Sequence, residues 1–165
     1  MLTENPTTIL FITGAFVSNK CWDDWKTFFE SKGFTTLAPA WPYKDGPAAV
    51  LRDRHPDPQI AGLRLTHLID HFENIARNLP QKPIIIGHSI GGLTAQILLQ
   101  RNLAKAAIAI HSVPPQGIMT FKFSFLKAGW GPLGFFTSTK KTFLMSFSQW
   151  QYAFTNGMPE EWQDK

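Results

Sequence analysis

Four short apolar runs punctuate the chain: Thr8–Ile12, Phe34–Ala38, Ile84–Ile86 and Ala106–Ile110. Runs this short, with little polar alternation, predict strands covered on both faces, as in a parallel sheet. Between them the periodicity changes. Asp23 or Asp24 caps a predicted helix that carries Trp25, Phe28 and Phe29 to Lys32, with Gly33 as its stop. A second predicted helix starts at Pro58 or Gln59 and runs to Leu79, placing Leu65, Leu68, Ile69, Phe72, Ile75, Ala76 and Leu79 on one face. A third runs from Ile90 to about Asn102, while Trp41–Pro58, rich in Pro, Gly and charge, predicts a loop. The alternation β-α-β-α-β-α-β specifies an α/β fold around a parallel sheet.

At 165 residues the chain is long enough for one hydrophobic core. The composition changes after Pro114-Pro115-Gln116-Gly117: residues 118–165 hold twelve of the 22 aromatic side chains. Residues 1–117 are therefore expected to form the sheet-based core. Residues 118–165, with Phe121, Phe123 and Phe125 separated by Lys122 and Ser124, are expected to begin a cap or lid over an apolar pocket. The net charge of +4 arises from an acid-poor stretch, since eight Lys or Arg and no carboxylate lie between Glu73 and Glu160. Those bases are thinly spread rather than clustered among stacking aromatics, which argues against a nucleic-acid partner. The single cysteine, Cys21, leaves no internal disulfide and fits a reducing compartment. Met1–Pro6 has no signal-peptide character, and no apolar stretch approaches a transmembrane span, so a cytoplasmic location is expected.

The chemistry is concentrated in Gly87-His88-Ser89-Ile90-Gly91-Gly92, which follows the strand Ile84–Ile86 and opens a helix. A serine at a sharp strand-to-helix turn needs small neighbours two positions away on each side. Gly87 and Gly91 supply them, and Gly92 lets the helix pack close to the sheet. The Ser89 hydroxyl then projects above the strand ends, beside a helix N-terminus whose amides and dipole favour a developing oxyanion. His67 and His71 stand four apart on a helix, but Leu68-Ile69-Asp70 between them lacks the metalloprotease glutamate. They predict a solvated flank and no metal site.

In this motif, and in Thr13-Gly14-Ala15-Phe16 followed by Cys21-Trp22, the sequence resembles the α/β-hydrolase superfamily, in its branch of compact serine hydrolases with a helical cap. The resemblance spans nearly the whole chain. It implies Ser89 as nucleophile, the backbone amides of Ala15 and Ile90 as oxyanion donors, and Phe16, His88 and His111 as pocket residues. It implies no metal and no organic cofactor. Thr13 stands where the family usually has a histidine.

The family orders its triad Ser, then acid, then His. After Ser89 the chain offers only His111, Glu160, Glu161 and Asp164, and the strands that carry the family's acid and histidine have no counterpart. The chain is therefore expected to be the N-terminal part of a longer hydrolase. His111 either serves as base or lines the pocket. The implied reaction is hydrolysis of a small-molecule carboxylic ester with an apolar acyl part. The alternatives are a non-catalytic module for an apolar ligand and an inactive truncated hydrolase. The implied strand order, second-first-third-fourth, leaves Ala106–Ile110 as an apolar edge without lysine or proline, which predicts self-association through it.

Overall fold

The computed structural model describes residues 6–118, 123, 127 and 140–163. Its parallel sheet has the order β2-β1-β3-β4, with β1 Thr8–Ile12, β2 Thr35–Leu37, β3 Ile84–His88 and β4 Ala106–Ile110. This is the order that the resemblance to the α/β-hydrolase superfamily implies. Leu10 lies beside Leu37 on one side and Ile85 on the other, and Ile86 pairs with Ile108. The two interior strands are covered on both faces, which is why they read as unbroken apolar runs: Leu10, Phe11, Ile12, Ile85 and Ile86 are all buried.

Five helices connect these strands: α1 Asp23–Glu30, α2 Ala48–Asp53, α3 Pro58–Gly62, α4 Leu65–Arg77 and α5 Ile90–Gln100. Leu68, Phe72 and Ala76 of α4 and Ala95 and Leu98 of α5 bury one sheet face against Leu10, Ile12 and Ile85. On the other face Phe11 stacks on Trp22 with ring centroids 4.9 Å apart, and Phe29 and Phe34 pack against the same cluster. The two clusters divide alternate residues of β1, as a period of two requires.

Three local expectations change. The segment 41–58 is not all loop, because Ala48-Ala49-Val50-Leu51 has side chains compatible with a helix and forms α2. The helix expected from Pro58 or Gln59 to Leu79 is broken after Gly62. Arg64 is extended (φ −116°, ψ 159°), and its N–H donates to His67 Nδ1 at 3.3 Å, restarting the chain as α4. β2 keeps only three of its five expected residues, while β3 runs two residues further, to His88.

The chain divides into two compact units. The first comprises Met1–Ala48 and Leu63–Gly117 and holds the whole sheet. The second comprises Ala49–Gly62 and Ile118–Lys165. Within it, Asp57 Oδ1 accepts from the N–H groups of Gln59 and Ile60 at the start of α3, and the Asp57 N–H donates to Thr142 Oγ1 at 3.2 Å. Short helices α6 (Phe147–Trp150) and α7 (Glu160–Gln163) follow, with a π-helical turn at Gln151–Thr155 between them. Trp150 stacks on Phe154. Phe123 is exposed, whereas Phe121 and Phe125, on which the cap expectation also rests, lie outside the described residues. Among the described residues, no helix is long and apolar enough to cross a membrane.

Among the described residues β4 pairs with β3 alone, and Ala106, Ile108 and Ala109 are exposed, Ile108 by 50%. An unpaired apolar edge of this kind templates further strand pairing. Light scattering at tens of micromolar is expected to show species heavier than the monomer, and Ile108→Lys is expected to abolish them. A monodisperse wild-type monomer would refute association through this edge.

Candidate active site

Ser89 joins β3 to α5 with φ 57° and ψ −121°, a conformation rarely tolerated by residues with side chains. The surrounding glycines show why the turn can close. A Cβ on Gly87 would strike the carbonyl oxygen of Gly91, across the turn, and a Cβ on Gly91 would strike the carbonyl oxygen of Ile12 in β1. One on Gly92 would lie 2.9 Å from Ser112 Cβ, beyond the end of β4. The glycine pattern therefore locks α5 against both neighbouring strands as well as permitting the turn.

Both backbone groups of Ser89 are engaged. Its N–H donates to Ile110 O at 3.0 Å, and its carbonyl accepts from the N–H groups of Gly92 at 2.9 Å and Val113 at 3.2 Å. Ile90 opens α5, so its amide belongs to the first-turn donors that have no intrahelical acceptor. Among the described residues nothing accepts from the amides of Ile90 or Ala15.

The loop after β1 reaches the same turn. A Cβ on Gly14 would stand 2.8 Å from Ser89 Cβ and 2.9 Å from His88 Nδ1, so only a glycine lets the backbone come this close. Two indoles hold this loop. Trp22 Nε1 donates to the buried Thr13 hydroxyl at 3.0 Å, and Trp41 Nε1 donates to the Thr13 carbonyl at 2.9 Å. Lys44 lies over the Trp41 ring, 4.9 Å from its centroid, and donates to Val17 O at 3.3 Å. Burial pushes the Lys44 pKa down and the Cys21 pKa up. Sequence reasoning noted Trp22 but missed Trp41. Its position after β2, in a Pro-flanked segment, gives no periodic signal.

The histidines divide by environment. His88 is half-buried, and burial, reinforced by the charge of nearby His111, pulls its pKa below 6.5. His111 is exposed and takes a positive φ of 43°. Among the described residues, nothing hydrogen-bonds to the Ser89 hydroxyl, neither imidazole included. Phe16, at φ 66°, is 38% exposed. His71 departs from its expected solvated flank. Its Nε2 lies 3.1 Å from Ala40 O, tying α4 to the segment after β2. No group of three or more potential metal ligands occurs among the described residues.

A family model described as "Alpha/beta hydrolase family" matches residues 9–165, and the chain belongs to that family. Nothing among curated proteins matches it. Solved structures share the fold. An extracellular alpha/beta-hydrolase from a Paenibacillus species is 17% identical, with a TM-score of 0.64, over 96% of this chain and 63% of that one. A variant of tomato methylketone synthase I is 19% identical, with a TM-score of 0.54, over 78% and 48%. Polyneuridine aldehyde esterase is 14% identical, with a TM-score of 0.53, over 75% and 47%. The chain thus spans less than two thirds of the length of each of these structures.

Two measurements test this site's construction. Thr13→Val leaves the Trp22 indole N–H buried without its acceptor, which is expected to destabilise the fold by about 1–3 kcal/mol in urea titrations. Removing the donor as well, with Trp22→Phe, is expected to recover part of that loss. The second concerns pH. The folded-state pKa of His88 is below its ordinary value of 6.5, so its contribution is complete above that value and is lost as pH falls through the folded pKa. Stability is expected to decline as pH drops below 6.5, and His88→Gln is expected to flatten that decline.

Proposed function

We propose that this chain carries the nucleophilic half of a serine hydrolase acting on carboxylic esters with an apolar acyl part. The observation that carries the reading is the strained turn at Ser89, which sets a hydroxyl beside the N-terminus of α5 and against the loop containing Gly14. Ser89 Oγ attacks the ester carbonyl. The electron pair moves onto the carbonyl oxygen, where the Ile90 and Ala15 amides receive the charge. Collapse of the tetrahedral adduct expels the alcohol and leaves an acyl-serine, which water then hydrolyses. A histidine takes the serine proton and returns it to the departing alcohol, and a carboxylate orients and stabilises that histidine; neither partner contacts Ser89 among the described residues.

Family membership supports hydrolase chemistry. An esterase and a thioesterase domain among the structural neighbours are compatible with acyl transfer to water. The aromatic wealth of residues 118–165 and the exposed Phe16 favour an apolar acyl group over a charged one. The single cysteine supports a cytoplasmic setting. A second reading is a non-catalytic module for an apolar ligand, in which Ser89 is never activated.

Intact-mass spectrometry after exposure to a fluorophosphonate tests whether Ser89 is armed. A single stoichiometric adduct, absent from Ser89→Ala, would establish an activated nucleophile and overturn the binding reading. No adduct on the folded chain would mean that the serine is present but has no working base within these residues.

A further inference from the structure

The backbone of Ser89 is gripped from the turn that leaves β4. Ile110 O accepts the Ser89 N–H at 3.0 Å, and the Val113 N–H donates to the Ser89 carbonyl at 3.2 Å. Only His111 and Ser112 separate those two contacts, so the turn holds the strained residue at both of its polar backbone groups. Two side chains fix the turn in its place. Ser112 Oγ donates to Val113 O at 2.8 Å and accepts from Gln96 Nε2 at 2.9 Å. Gln96 lies on α5, where its Nε2 also reaches Gly92 O at 3.3 Å. Ser112 Cβ meanwhile fills the space that a side chain at Gly92 would need. A closed circuit therefore runs from Ser89 along α5 to Gln96, across to Ser112, and back through Ile110 and Val113.

We propose that Ser112 and Gln96 are positioning residues that hold Ser89, and with it the Ile90 amide, in the strained backbone conformation. A strained φ/ψ pair persists only where its surroundings over-determine it. Here the local chain favours relaxation, while the Gln96–Ser112 link opposes it by keeping the Ile110 and Val113 contacts closed. Neither side chain needs to touch a substrate. The catalytic consequence rests on the reading of Ser89 as nucleophile, whereas the mechanical claim does not.

Amide hydrogen exchange measured by NMR tests the mechanical claim without requiring activity. Ser112→Ala keeps the Cβ that packs on Gly92 and removes only the hydroxyl. Exchange at the Ser89 and Val113 amides is expected to accelerate about tenfold, the size of one lost hydrogen bond, while amides of β1 are unchanged. Gln96→Leu is expected to have a smaller effect, and none when added to Ser112→Ala, because it acts through that hydroxyl. Ser112→Thr, which restores the hydroxyl, is expected to restore protection. Unchanged exchange at both amides in Ser112→Ala would overturn the proposal, as would additive effects of the two substitutions. Fluorophosphonate labelling rates on the same variants separate the two claims. If the wild-type chain labels, Ser112→Ala is expected to slow labelling without a matching loss of thermal stability. If it does not label while the amides deprotect as described, Ser89 is unarmed in this chain and the positioning role stands without the catalytic consequence.

Discussion

The sheet, its helices and the site all depend on one steric constraint: the chain must reverse from β3 into α5 within a single residue. At Gly87 and Gly91 a side chain would overlap backbone atoms, and at Gly92 it would crowd Ser112. The Gly91 restriction comes from the Ile12 carbonyl, so β1 can lie this close to the turn only because residue 91 has no side chain. The Gly92 contact comes from the segment after β4. The central strands and the turn are therefore mutually dependent. Local sequence makes the turn possible, and the parallel pairing of three strands keeps it shut.

The loop after β1 is held by different means. Its backbone approaches Ser89 through Gly14, and its position is fixed by two indole N–H donors that converge on Thr13. A buried hydrogen bond contributes modestly when made and costs more when one partner is lost, so such a pair specifies a conformation more than it stabilises the whole. Trp22 reaches Thr13 from the short turn before α1, and Trp41 from the segment after β2. The loop is thus tied to two elements on the same side of the sheet order.

The four strands, α1 and α5 could be read from hydrophobic run length and from flanking Gly and Pro, most directly β1 and β3, which are covered on both faces, whereas β2 and β4 are edges with exposed residues. The placement of Ser89 at a strand-to-helix turn followed from the motif and its setting, while the strand order came from the resemblance to the superfamily. What could not be read depends on contacts distant in sequence. The break between α3 and α4 occurs where an apolar periodicity continues across Gly62 and Arg64, and no pattern marks it. Trp41 and His71 look like isolated polar-tipped residues until folding brings them to the Thr13 and Ala40 carbonyls, 28 and 31 positions away. Ser112 is one hydroxyl in an ordinary post-strand turn, and only its proximity to Gly92 and Gln96 gives it a role.

The positive φ of Ser89 has an evolutionary consequence. Glycine populates this region far more readily than serine, so the backbone here favours a residue that cannot act as a nucleophile. A lineage freed from selection for chemistry would find the loss of this hydroxyl easy to accept and conformationally favourable. A serine kept at such a position across homologues would therefore be a more telling mark of use than any residue kept in the buried sheet, where packing alone would preserve it.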